Sequence, residues 1–166
     1  VEAAVQRLAA NLLTVLLTLA GIAPAAAIGE FSSGRWTGQA FLDGGRFTHC
    51  AMLAPYVSRW KLLFSVDRNG DIGVGFQNQD VGMYPWERAS IWMQIDNEPV
   101  ITPVFKPAGM TLVVAKFAAG SDWIKRLRKG KKLKVNVGKR VPNFDLAGLD
   151  EAFTALFACA QKNRTA

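Results

Sequence analysis

Histidine is nearly absent from this sequence: 166 residues contain one, His49. Cysteine is almost as scarce, with Cys50 and Cys159 alone, and together with His49 these residues lack the spacing of a four-ligand zinc cage. No GxSxG elbow supports a hydrolytic triad around His49. His49 and Cys50 are also neighbours on an expected strand, where adjacent side chains point to opposite faces, so they cannot serve each other as base and nucleophile. There is no GxGxxG and no P-loop. The stretch GDIGVGF reads as a strand, without the helix a phosphate site requires, and its outward glycines Gly73 and Gly75 leave room for another backbone or an aromatic side chain to lie close. The twelve-residue EF-hand pattern is missing around Asp67 and Asp71, which flank a turn and keep it soluble. Glu87, Asp96, Glu98, Asp145, Asp150 and Glu151 show no acid and base spacing, although Asp150 and Glu151 suit the positive start of a helix. The expectation is a protein that is not an enzyme and holds no cofactor and no metal. A hydrolase-type enzyme using His49 in an aromatic cleft is the alternative.

Long apolar runs are also missing, with one exception. In VEAAVQRLAANLLTVLLTLAGIAPAAAIGEF, Arg7 precedes an apolar run from Leu8 to about Ile22, followed by Pro24 and the small residues Ala25 to Ala27. That order is a secretory signal peptide with an Ala-x-Ala-like cleavage site. The run is shorter than the roughly 20 residues of a membrane span, and no basic stop-transfer cluster follows. Residues 1–27 are therefore expected to be removed near Ala27, leaving residues 28–166 as a single β-rich domain in the periplasm or the medium. Glu2 and Arg7 cancel, so this domain keeps the net charge of +7. The full sequence has 50% hydrophobic and 20% charged residues, which is not the composition of a disordered basic tail. An oxidising compartment favours a Cys50–Cys159 disulfide, which closes a loop of about a hundred residues and stabilises by about 4–5 kcal/mol in the chain-entropy model.

No repeat of 20–50 residues and no linker is visible. The clearest local unit is WKLLFSVDRNGDIGVGFQNQ, whose two arms alternate apolar and polar residues. A two-residue turn at Asn69-Gly70 would put the apolar sets on opposite faces. A three-residue loop, Arg68 to Gly70, instead pairs Val66 with Ile72, Phe64 with Val74 and Leu62 with Phe76, and puts Gly70 in the left-handed position. Further strands are expected at Trp36–Leu42, Phe47–Leu53, Ala89–Asp96, Val100–Phe105, Met110–Phe117 and Lys132–Val137, with a turn at Pro107-Ala108-Gly109. The class is mainly β, an antiparallel β-sandwich or partly open barrel.

Two helices complete it. SDWIKRLRKG starts at Ser121 or Asp122, buries Trp123, Ile124 and Leu127, and stops at Gly130. The second runs from Leu149 or Asp150 with Leu149, Ala152, Phe153, Leu156 and Ala160 along one stripe, and it packs on the sheet. Cys159 lies on that stripe, within reach of Cys50.

Residues 125–140, KRLRKGKKLKVNVGKR, hold nine Lys or Arg. They divide into a helix whose polar side carries Lys125, Arg126, Arg128 and Lys129, a turn at Lys131, and a strand on which Lys132 and Lys134 point outward while Leu133, Val135 and Val137 point in. This short basic helix and strand form a candidate surface for an anionic envelope component, such as lipid headgroups in a peripheral membrane contact or a polysaccharide, or for an acidic protein surface. No nucleic acid is expected outside the cell, although a nucleic-acid-binding protein is the second alternative. Tyr84 and Trp86 in GMYPWE, with Trp92, form a candidate aromatic platform. Oligomeric state is not legible.

The order FTHCAML, WKLLFSVDRNGDIGVGF, IWMQID, GKKLKVNV and FDLAGLDEAFTALFACA resembles the invasion-associated locus B family of small exported bacterial proteins, or a related periplasmic domain. The likeness spans roughly Trp36 to Gln161. The resemblance implies a periplasmic or secreted β-rich domain with a disulfide-tied C-terminal helix carrying Cys159, no cofactor, no established catalysis, and an association of some members with host-cell invasion.

Overall fold

The hairpin forms in the expected register. The protein is described by a computed structural model covering residues 28–80, 91–137 and 140–164. Its strands are β1 (Ile28–Ser33), β2 (Trp36–Asp43), β3 (Arg46–Pro55), β4 (Trp60–Asp67), β5 (Ile72–Asn78), β6 (Trp92–Ile95), β7 (Phe105–Pro107), β8 (Leu112–Phe117), β9 (Lys132–Asn136) and β10 (Asn143–Asp145). Its helices are α1 (Asp122–Lys129) and α2 (Leu149–Arg164). Val66 faces Ile72, Phe64 faces Val74 and Leu62 faces Phe76. Gly70 has φ +89°, the left-handed turn position that a side chain would strain.

The strands make two antiparallel sheets, one of seven strands in the order β1-β2-β3-β4-β5-β8-β7 and one of three in the order β10-β9-β6. No closed barrel is formed among the described residues. Alternation dictates what lies between the sheets: Leu62, Phe64 and Val66 of β4, and Val74 and Phe76 of β5, are buried with Leu133 and Val135 of β9 and Met93 and Ile95 of β6 in one continuous core. Phe144 of β10 joins the sheets, 5.6 Å from the ring of Phe76 and 6.5 Å from Trp60. Over β1 to β4 the sheet is covered by α2 instead, where Phe153 lies 4.9 Å from Phe64. Leu149, Ala152, Phe153, Leu156 and Ala160 are its buried residues, the stripe expected from spacing. Cys50 on β3 and Cys159 on α2, 109 positions apart in sequence, are joined by a disulfide.

Three expectations change. No strand covers Val100–Phe105. Ile101 makes an isolated bridge to Met93, and pairing resumes only at Phe105. Pro99 precedes the segment and Pro103 lies within it, and a residue without an amide hydrogen cannot continue a ladder. The expected Ala89–Asp96 strand is present as Trp92–Ile95, residues 89 and 90 lying outside the described set. The outward glycines of β5 admit no separate backbone. A Cβ on Gly73 would lie 2.3 Å from Ser65 Oγ, and one on Gly75 3.2 Å from Leu112 and Val114, so side chains of the flanking strands already fill the space. The edge strand β1 was not anticipated, because IGEFSS shows no clean alternation; its pairing with β2 is irregular between Ile28 and Phe31.

Candidate anionic-partner surface

The expected N- and C-terminal limits of α1 are observed, with Ser121 at the N-cap position, although its side chain makes no capping bond, and Gly130 at the C-cap. Trp123, Ile124 and Leu127 are buried, and Trp123 stacks on Phe117 of β8 at 4.8 Å. That anchorage turns Lys125, Arg126, Arg128 and Lys129 away from the core, but three of these four cations are matched by carboxylates. Lys125 pairs with Asp122 at 2.8 Å, Arg126 with Glu98 at 2.9 Å, and Arg128 with Asp150 at 2.6 Å. Arg128 also lies 5.7 Å from the ring centres of both Phe153 and Phe157, so its guanidinium fastens α1 to α2. Each pair is partly or fully exposed and stabilises by at most about 1 kcal/mol. The consequence that matters is neutralisation: the helix is much less positive than its sequence.

The strand half differs. On β9, Leu133 and Val135 are buried while Lys132 is exposed and Lys134 half-buried. Lys129, Lys131, Lys132 and Lys134 make no ion pair among the described residues. Their placement depends on Asp96, a non-glycine residue with φ +46°. Its carboxylate accepts the amide hydrogens of Lys131 and Lys132 at 3.1 Å and 2.8 Å, fixing the entry of β9 beside β6.

Of the three residues expected to form an aromatic platform, Trp92 is half-buried on the outward face of β6, opposite Asn136. Tyr84 and Trp86 lie outside the described residues. Sequence reasoning overlooked the polar neighbours of the two outward lysines: Gln94 faces Lys134 across β6, and Asn143 faces it across β10. The period-two pattern of Trp92, Gln94 and of Lys134, Asn136 was visible, but that these two strands are adjacent was not.

His49 and Cys50 do point to opposite faces. Cys50 is buried, whereas His49 is half-buried on the outer face of the seven-stranded sheet, stacked on Phe41 at 4.7 Å and with Nδ1 3.0 Å from Thr48 Oγ1. Burial depresses its pKa below 6.5, opposed by Asp67 and reinforced by Lys116. Asp67, its cross-strand neighbour, has other work: Oδ1 accepts the amide hydrogens of Asn69 and Asp71, and Oδ2 lies 3.4 Å from Lys116 Nζ. Asp71 in turn accepts the amide of Ala119 at 3.3 Å. These carboxylates build the turn in addition to solvating it. A depression of about 490 Å³ on the same outer face, lined by Phe31, Phe41, Leu53 and Leu63 among others, contains no Lys or Arg and lies apart from the basic strand.

No family model matches this chain, and no curated protein matches it by sequence. Among solved structures, its fold is similar to the crystal structure of invasion associated protein B from Bartonella henselae, with a TM-score of 0.59 and 18% identity, covering 81% of this chain and 99% of that one. At that identity the likeness establishes a shared fold: this chain has the β-rich architecture of an invasion associated protein.

Proposed function

We propose that this protein is a non-enzymatic domain of the bacterial cell envelope, exported after cleavage near Ala27, related to the invasion-associated locus B proteins, and that it binds an anionic partner through its basic strand face. The fold likeness supports the kinship, and the disulfide fits an oxidising compartment. The observation carrying the binding reading is the contrast within one basic stretch: three of the four cations on α1 are neutralised, while Lys129, Lys131, Lys132 and Lys134, within six consecutive positions, have no carboxylate partner among the described residues. Unmatched clustered cations create a potential that draws in polyanions.

The test is salt-dependent retention of the folded protein on immobilised polyanions. Replacing Lys129, Lys131, Lys132 and Lys134 with Gln is expected to abolish retention, whereas replacing Lys125 and Arg126 with Gln leaves most of it, because those two are already paired. Equal losses in both variants, or retention of neither protein nor variants, would reject this surface. N-terminal sequencing of the exported protein checks the compartment: a start at Ile28 is expected, and an unprocessed cytosolic chain would contradict it.

A further inference from the structure

We infer that the ligand of the basic strand face is an acidic polysaccharide, read by the outward side of the β10-β9-β6 sheet; this rests on the anionic-partner reading above. The sheet is buried on one side, with Met93, Ile95, Leu133, Val135 and Phe144 all in the core. Alternation therefore puts seven other side chains on its open side in a regular grid. Trp92 is opposite Asn136; Gln94, Lys134 and Asn143 form a row across all three strands; Lys132 follows, opposite Asp145. Rows are about 7 Å apart and strands about 4.8 Å apart, so the grid has the footprint of a short extended oligosaccharide.

The chemistry of this grid is specific. Lys134 carries charge at its centre, and neither it nor Lys132 is paired among the described residues. The carboxylate within it and the one beside it are engaged: Asp145, opposite Lys132, lies 3.6 Å from Arg35, and Asp96 holds backbone amides. Gln94 donates its amide hydrogen to Glu98 O at 2.9 Å, which leaves its side-chain oxygen as an acceptor. Asn136 and Asn143 have no side-chain hydrogen bond among the described residues. Amides that both donate and accept match vicinal hydroxyl groups. A half-exposed indole offers a flat apolar face to the C–H side of a sugar ring. Ammonium groups on the same face match uronate or phosphate substituents. A lipid surface presents phosphates in one plane and favours cations flanked by apolar side chains that insert; here amides flank them. An acidic peptide would use the lysines but has little use for the indole and amide row.

The experiment measures binding of the full, disulfide-bonded protein to polygalacturonate, with neutral dextran, polyglutamate, single-stranded DNA and vesicles containing phosphatidylglycerol as comparators. The wild type is expected to prefer polygalacturonate to every comparator. Trp92→Ala is expected to weaken it about tenfold. Asn143→Ala, at an exposed position that does not burden folding, is expected to weaken it severalfold with unchanged melting. Both losses should persist at salt concentrations that erase the effect of Lys134→Gln. If polyglutamate, DNA or vesicles bind as tightly and the Trp92 and Asn143 variants stay within twofold of wild type, the sugar assignment is overturned while the anionic-partner reading stands. If no polyanion binds, both are overturned.

Discussion

Severing the tie between β3 and α2 tests the fold most directly. The perturbation is Cys50→Ala with Cys159→Ala. With the cysteines 109 positions apart, the chain-entropy relation assigns the cross-link about 4.8 kcal/mol at 25 °C. Unfolding entropies near 2.1 cal/mol/K per residue, for a chain this long, turn that into a drop in melting temperature of about 15 °C. The helix remains docked below the transition, because Leu149, Ala152, Phe153, Leu156 and Ala160 are buried independently of the sulfur atoms. Far-ultraviolet circular dichroism at 25 °C should therefore be unchanged while the thermal midpoint falls. The denaturant m-value should rise as the unfolded chain expands. Scanning the wild type with and without a reductant provides the same comparison without altering a side chain. A midpoint within about 3 °C of wild type for both the variant and the reduced protein would refute the reasoning, since the apolar stripe alone would then hold the helix.

Asp96→Ala removes a carboxylate that accepts two amide hydrogens and places an ordinary side chain at positive φ, so chemical denaturation should show a loss of about 2–3 kcal/mol. Asp96→Asn, which tolerates the left-handed conformation, should lose distinctly less; equal losses would mean the turn does not depend on that residue. Burial lowers the pKa of His49 below its unfolded value of 6.5, so the unfolded chain binds the proton first as pH falls. Its contribution is intact above pH 6.5 and declines as pH drops from 6.5 through the depressed folded value. In a stability profile measured between pH 8 and pH 5, His49→Gln should be flatter than wild type across that window, and parallel profiles would assign the decline elsewhere.

Local alternation in the sequence determined the β4-β5 hairpin, down to the residue at its left-handed corner, because a one-residue slip would have turned every apolar side chain to solvent. The limits of α1 and the buried stripe of α2 were legible for the same reason: each is a periodicity within one element. The interruption at Pro103 is equally local, since a residue without an amide hydrogen cannot continue a ladder, and the strand expected over Val100–Phe105 runs through it. What no local pattern carries is adjacency. That Glu98 would meet Arg126, that Asp150 would meet Arg128, and that Gln94 and Asn143 would flank Lys134 depend on elements brought together from 9 to 40 positions apart. Nine cations in sixteen residues determined a basic stretch. Which of them retain an uncompensated charge was decided by tertiary structure, since neutralisation depends on distance in space, and the core that sets those distances is assembled from faces the chain writes separately.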